Sequence, residues 1–252
     1  MIKYIKTQDE RLCCGCRACE QICPVSAIRM EKNAEGFLYP ILDNSTCVKC
    51  DLCEKVCPEE SAPEKRRPIE IYAVQHKNEE ILKNSSSGGS FRLLADEIIK
   101  CGGCVVGCKW DINYHPVLAI ADTIEELSSM QGSKYLYSDT VEIYKNVKER
   151  LDEGQQVLFT ASPCQCAGLI KYLQKTYDNL ITADFLCHGM PSQKAFDCYL
   201  DAIEKKLLHA KRELVLRPNG RHQVITSFKF RDKEKRGWGH VISYTWKTAR
   251  KQ

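Results

Sequence analysis

The sequence predicts two units of different class, a small α+β domain followed by a larger α/β domain with a mixed sheet, and three observations carry the prediction. A four-cysteine pattern that begins at Cys13 recurs at Cys47, 34 positions on. A stretch from Glu59 to Pro68 follows, in which Pro63, Pro68 and the charges Glu64-Lys65-Arg66-Arg67 disfavour helix and strand alike. From Ile69 onward, short apolar runs alternate with helical stripes, the pattern of an α/β unit. The expected boundaries are residues 1–60, a linker over 61–68, and 69–252.

Taken in order, Ile69 to Gln75 reads as a strand. Phe91, Leu94, Ala95, Ile98 and Ile99 make the stripe of an amphipathic helix that runs to Lys100 and stops at Gly102-Gly103. Val105-Val106 and Val117 to Ala121 read as strands. Asp139 is placed to cap a helix to Glu153, with Glu142 completing a capping box and Gly154 ending it. A buried strand over Val157 to Ala161, a helix over Gln165 to Gln174, a strand over Leu180 to Leu186 and a helix over Ser192 to Leu208 follow. Thr226 to Phe230 and Val241 to Trp246 are the last strands.

Composition narrows the function. Sixteen cysteines would suggest disulfides in a secreted protein, but Met1 to Lys6 carries no apolar leader core, so the chain is expected to be cytoplasmic. No apolar run approaches the roughly 20 residues that cross a bilayer. A formal charge of +4, with no aromatic-basic repeat, makes no case for nucleic acid.

The cysteines specify chemistry. Cys13-x2-Cys16-x2-Cys19-x3-Cys23-Pro24 and Cys47-x2-Cys50-x2-Cys53-x3-Cys57-Pro58 are both the run of a two-cluster bacterial ferredoxin. Three thiolates of a tight loop reach three corners of one iron-sulfur cube, and the fourth, beyond a proline-fixed turn, points to the other cube. Cys13, Cys16, Cys19 and Cys57 are therefore expected to hold one [4Fe-4S] cluster, and Cys23, Cys47, Cys50 and Cys53 the second, with Cys14 surplus. Structural zinc pairs two short knuckles and fits this spacing poorly. Cys101, Cys104 and Cys108 are either a further metal site or buried small hydrophobes. Cys164 and Cys187, at strand ends where α/β sheets place ligands, are the better additional candidates.

Four later segments occur in one order: Ser85-Ser86-Ser87-Gly88-Gly89-Ser90-Phe91, Gln131-Gly132-Ser133-Lys134-Tyr135, Ser162-Pro163-Cys164-Gln165-Cys166-Ala167-Gly168-Leu169 and Cys187-His188-Gly189-Met190-Pro191-Ser192. With them the chain resembles the β subunit family of coenzyme F-420 hydrogenases and dehydrogenases. The resemblance implies a flavin (FAD), a redox partner subunit or ferredoxin, a small-molecule hydride carrier, and a third [4Fe-4S] cluster to which Cys164 and Cys187 supply only part of a ligand set. It also implies that the chain is a shortened member, since the family usually continues further. Ser86, Ser87, Gly88 and Gly89 open a helix whose free N–H groups and dipole suit a flavin pyrophosphate, although an ordinary capped helix has the same residues. Gly132, Ser133 and Lys134 are expected in the same pocket, with Lys134 facing a reduced flavin or simply solvated. His188 is either a proton relay or a structural histidine. The basic stretch from Lys205 to Arg236 attracts an anionic coenzyme tail or is a solvated face.

Clusters move single electrons and deazaflavins move hydrides, so a flavin between them is the converter such a protein needs. The expectation is an iron-sulfur flavoprotein oxidoreductase. The alternative is a ferredoxin-like adaptor without flavin or hydride chemistry.

Overall fold

The computed structural model describes residues 1–63, 68–206, and the strand residues 212–215, 225–230 and 242–244, with side chains as far as residue 202. The N-terminal unit begins with helix α1 (Lys3–Thr7), a 3-10 turn (Glu10–Leu12) and α2 (Ala18–Ile22). A hairpin of β1 (Ile28–Lys32) and β2 (Leu38–Leu42) pairs antiparallel, and α3 (Leu52–Lys55) follows, packed beside α2. After α4 (Glu79–Lys83) comes α5 (Ser90–Lys100), then β3 (Cys104–Trp110), β4 (Pro116–Ala121), α6 (Ile124–Met130), α7 (Ile143–Asp152), β5 (Val157–Thr160), α8 (Pro163–Leu173), β6 (Leu180–Ala183) and α9 (Gln193–Lys206). Strands β7 (Arg212–Val215), β8 (Ile225–Phe230) and β9 (Ile242–Tyr244) form an antiparallel sheet.

The central sheet runs β4-β3-β5-β6. β3 pairs antiparallel with β4 and parallel with β5, and β5 pairs parallel with β6, so the sheet is mixed as expected. Its inner strands are apolar and buried where they pair, Cys104–Val106 with Val157–Phe159, because both faces are covered there. Along β3 and β5, Cys104, Val106, Val157 and Phe159 point to one side and pack with Tyr144 and Val147 of α7 and Leu169 and Tyr172 of α8. Val105 and Leu158 point to the other, against Ala95 and Ile98 of α5 and Leu127 and Met130 of α6. The sheet is thus the middle of three layers.

The N-terminal unit docks on the α7–α8 layer. Cys16, Ala18 and Val56 belong to the same buried cluster as Phe159 and Leu169, so the two units share a core. The β1–β2 turn reaches the start of α9, where Lys194 Nζ donates to the Ala34 carbonyl at 2.6 Å.

Several expectations are corrected. Ile69 to Gln75 forms no strand: Ile69 is 98%, Ile71 87% and Tyr72 74% exposed, because a strand pattern needs an edge to pair with and this segment finds none among the described residues. Asp139 does not cap α7. It bridges to Val117 and takes a salt bridge from Arg17, and the helix starts at Ile143 after Glu142. β6 stops at Ala183, leaving Leu186 94% exposed. α8 begins two residues earlier than expected, with Pro163 at its first turn and a capping box between Ser162 and Gln165. α6 was not foreseen, although Thr123 and Glu126 spell its capping box. The last helix and strands were expected to run on into residues 207–208, 241 and 245–246, which lie outside the described residues, as do 64–67 of the expected linker.

Phe159 is wholly buried, with its ring 6.2 Å from that of Tyr144. Phe159→Ala is expected to cost about 3–5 kcal/mol. Urea unfolding checks this, as a lowered midpoint at unchanged slope.

Candidate metal centres

The two cysteine runs fold alike. Gly15 and Arg17 in the first, and Lys49 and Asp51 at the matching places of the second, all take left-handed backbone conformations, with φ of 70°, 62°, 54° and 58°. Three of these are not glycine, and each such residue costs on the order of 1–3 kcal/mol. The repeated bend curls each loop around its own thiols, and a short helix, α2 or α3, then carries the chain to the fourth cysteine.

The outcome is two cavities with a crossed lining. Cys13, Cys16, Cys19 and Cys57 line one, together with Cys14 and with Ile2, Tyr4 and Pro58 nearby. Cys23, Cys47, Cys50 and Cys53 line the other, with Ile5, Ile28 and Leu42. The sets ring open space instead of converging: among the described residues, no three His, Cys, Asp or Glu side chains meet closely enough for a single metal ion. Backbone N–H groups already point at sulfur, Gly15 to Cys13 Sγ at 3.4 Å and Ala27 to Cys23 Sγ at 3.2 Å. Burial pushes the Cys13 thiol up to about 11 and that of Cys19 well above its ordinary value, and it raises Cys53 and Cys57 as well. Four cysteine thiols around each cavity suit a cationic iron-sulfur core, which deprotonates its ligands outright. The donor sets therefore fit the group that their spacing suggests.

The cavities face different surroundings. Cys50 is exposed and Val48 beside it is 60% exposed, so the second cavity opens to the surface. The loop of the first is backed by a wall from the α/β unit, and two of its thiols, Cys16 and Cys19, are buried. Tyr137 Oη donates to the Cys14 carbonyl at 2.8 Å, Thr140 Oγ1 to that of Cys16 at 3.2 Å, and the Tyr144 N–H to Gln21 Oε1 at 2.9 Å. The Arg17 guanidinium bridges Glu20 and Asp139 across the junction. Gly168 of α8 lets the Cys16 sulfur come close, since a Cβ there would lie 3.1 Å from it and 2.7 Å from Tyr144 Oη. Spacing rules gave no sign of this wall, whose bonds join residues more than 120 positions apart.

The remaining predicted site residues divide. Ser86 and Ser133 do meet: the Ser133 N–H donates to Ser86 Oγ at 2.6 Å. Gly89 is the left-handed residue before α5, with φ of 78°. Gly88 is packed under the Val74–His76 segment, its carbonyl accepting from the His76 N–H at 2.7 Å, and a Cβ there would lie 2.2 Å from the Val74 carbonyl oxygen. Lys134 is half-buried, on the segment after α6. Its ammonium donates to the carbonyls of Ser129, Met130, Gln131 and Gly132, at 2.9 to 3.2 Å, and so closes the C-terminus of α6. Burial pushes it down to about 8, with the nearby Cys108 thiol opposing the shift. Cys187 and His188 are exposed on the segment after β6, whereas Cys164 sits in the first turn of α8 beside Ser162 and Cys14. Cys104 is a buried core residue, Cys101 is exposed and Cys108 lies near Lys134, so these three do not act as one site.

Comparison with known proteins agrees with the cysteine chemistry. A 4Fe-4S dicluster domain matches residues 12–61. No curated protein matches the chain. Among solved structures it is similar to a chain of the F-420-reducing [NiFe] hydrogenase complex from Methanosarcina barkeri, in a xenon derivative, with 17% sequence identity and a TM-score of 0.45. That similarity covers 68% of this chain and 58% of the other, so this chain spans less than two thirds of its length. Residues 12–61 thus match a 4Fe-4S dicluster domain, the kind of segment that supports iron-sulfur electron transfer. Among the described residues no helix is long and apolar enough to cross a membrane.

Lys134→Met removes the ammonium that closes α6 and is expected to lower stability by about 1–2 kcal/mol. A thermal melt checks this, with iron content unaffected because Lys134 lies outside both cysteine sets.

Proposed function

We propose that the chain relays electrons between an external redox partner and its own α/β unit through two [4Fe-4S] clusters. The observation that carries this reading is the crossed lining of the two cavities, one carrying the exposed Cys50 and the other, beside the α7–α8 layer, the buried Cys16 and Cys19 and so the more enclosed thiols. Bound there, the clusters supply one-electron chemistry. Cys13, Cys16, Cys19 and Cys57 hold the enclosed one, and Cys23, Cys47, Cys50 and Cys53 the outer one. N–H donors on Cys13 and Cys23 set the charge density on sulfur and hence the potential. Val48 and Cys50 give a partner close approach to the outer site.

Whether the α/β unit adds hydride chemistry divides two readings. The resemblance to the coenzyme F-420 hydrogenase and dehydrogenase β subunits, together with the Ser86–Ser133 contact, supports a flavoprotein oxidoreductase with FAD at the start of α5. The cover of Val74–His76 on Gly88, and the engagement of Lys134 with four carbonyls, favour an electron-transfer adaptor without its own flavin.

Anaerobic purification with iron, sulfide and released flavin measured on one sample decides between them. About eight iron with one flavin per chain supports the flavoenzyme, about eight without flavin supports the adaptor, and an iron-free, zinc-bearing protein refutes both. Cys57→Ser should damage the cluster ligated by Cys13, Cys16 and Cys19. Electron paramagnetic resonance of the reduced variant is then expected to lose the coupling between two clusters, and damage confined to the Cys47 set would overturn the crossed assignment.

A further inference from the structure

Tyr137 belongs to the α/β unit, yet its phenol ends against the first cysteine loop. Its segment is fixed on the α/β side: Leu136 is buried, the Tyr137 N–H donates to the Pro191 carbonyl at 3.1 Å, and Gln165 Nε2 of α8 donates to the Ser138 carbonyl at 2.7 Å. From there Tyr137 Oη donates to the Cys14 carbonyl at 2.8 Å, 123 positions away. That carbonyl belongs to the Cys14–Gly15 peptide, and the N–H of the same peptide donates to Cys13 Sγ at 3.4 Å. Phenol, peptide and sulfur thus stand in one series of hydrogen bonds. Bonds in such a series polarise one another, so a donor on the carbonyl strengthens the N–H at the other end. Gly15 keeps the approach open, since a Cβ there would lie 3.0 Å from the Leu38 carbonyl oxygen and 3.4 Å from Tyr137 Oη. In the second loop the matching peptide is Val48–Lys49, where Val48 is 60% exposed and has no hydrogen-bond partner among the described residues.

We propose that Tyr137 raises the reduction potential of the cluster site formed by Cys13, Cys16, Cys19 and Cys57, acting through the Cys14–Gly15 peptide on the Cys13 sulfur. An electron added at that site increases the negative charge on sulfur, and a polarised N–H stabilises this charge better than an ordinary amide does. Hydrogen bonds to sulfur are among the features that set cluster potentials, and each one favours the reduced form. Tyr137 acts through the peptide and is therefore a positioning residue. Because it comes from the α/β unit and reaches only the first loop, that unit biases how electrons divide between the two sites. The inference rests on the electron-relay reading and deepens it.

The test is a redox titration of the anaerobically purified, iron-loaded chain, followed by electron paramagnetic resonance, with iron and sulfide measured on the same sample. Tyr137→Phe keeps the ring and removes the donor. It is expected to retain about eight iron and to lower one of the two midpoint potentials, leaving roughly two- to fourfold fewer of those clusters reduced at a fixed potential, with the other midpoint unmoved. 3-Fluorotyrosine at position 137, a stronger donor of nearly the same shape, should raise the same midpoint, and it decides the matter if Tyr137→Phe fails to load. Thr140→Val removes a different wall bond, that to the Cys16 carbonyl, and should leave both midpoints in place. Unmoved midpoints in iron-loaded Tyr137 variants, or an equal shift in Thr140→Val, would overturn the proposal and leave the electron relay standing. Protein that contains no iron as isolated would overturn both.

Discussion

Eight thiols divided three-plus-one between two cavities is the constraint on which the rest of the structure depends. Each loop closes around three of its own cysteines and lends its fourth to the other, so α2 and α3 have to lie side by side. That arrangement tolerates left-handed backbone at Arg17, Lys49 and Asp51, which a free loop would avoid. It also keeps buried thiols together whose raised proton affinity makes them poor neighbours until a metal core removes the protons.

The second consequence is directional. One cavity carries the exposed Val48 and Cys50, while the loop of the other is backed by Tyr137, Thr140, Tyr144 and Gly168 and holds the buried Cys16 and Cys19. Ala18 and Val56 share a core with Phe159 and Leu169, so the dicluster domain cannot separate from the α7–α8 layer without exposing apolar surface. The Arg17 guanidinium adds charge-assisted bonds to Glu20 and Asp139 at the rim of this junction. Buried thiols at one site and an exposed thiol at the other are settings that would separate the potentials of clusters bound there.

The α/β unit uses its chemistry-bearing loops more structurally than its motifs suggest. Lys134, which charge alone would place against an anionic ligand, finds the carbonyls of Ser129 and Met130 in the last turn of α6 and those of Gln131 and Gly132 just beyond it. Gly88 is required by the close approach of the Val74 carbonyl, whatever else binds near α5. Ser162 and Gln165 close a capping box that fixes the first turn of α8, and with it the position of Cys164.

The sequence by itself determined the elements whose cause is local. The cysteine spacing specifies two four-thiol sets and their crossing, because a loop with two residues between thiols can wrap only one cube and a proline turn aims the fourth thiol outward. The stripe of Phe91, Leu94 and Ile98, and the apolar run at Val157, likewise announce α5 and β5, since helix and strand periods are written in neighbouring residues. Tertiary structure alone decided the rest. Ile69 to Gln75 has a strand's composition but no partner edge, and Asp139 has a cap's chemistry but is taken by Arg17 from 122 positions away. The wall behind the first cysteine loop depends on contacts between chain segments that no periodicity relates. Such contacts depend on how whole elements pack, and packing is settled by the shape and burial of the assembled core.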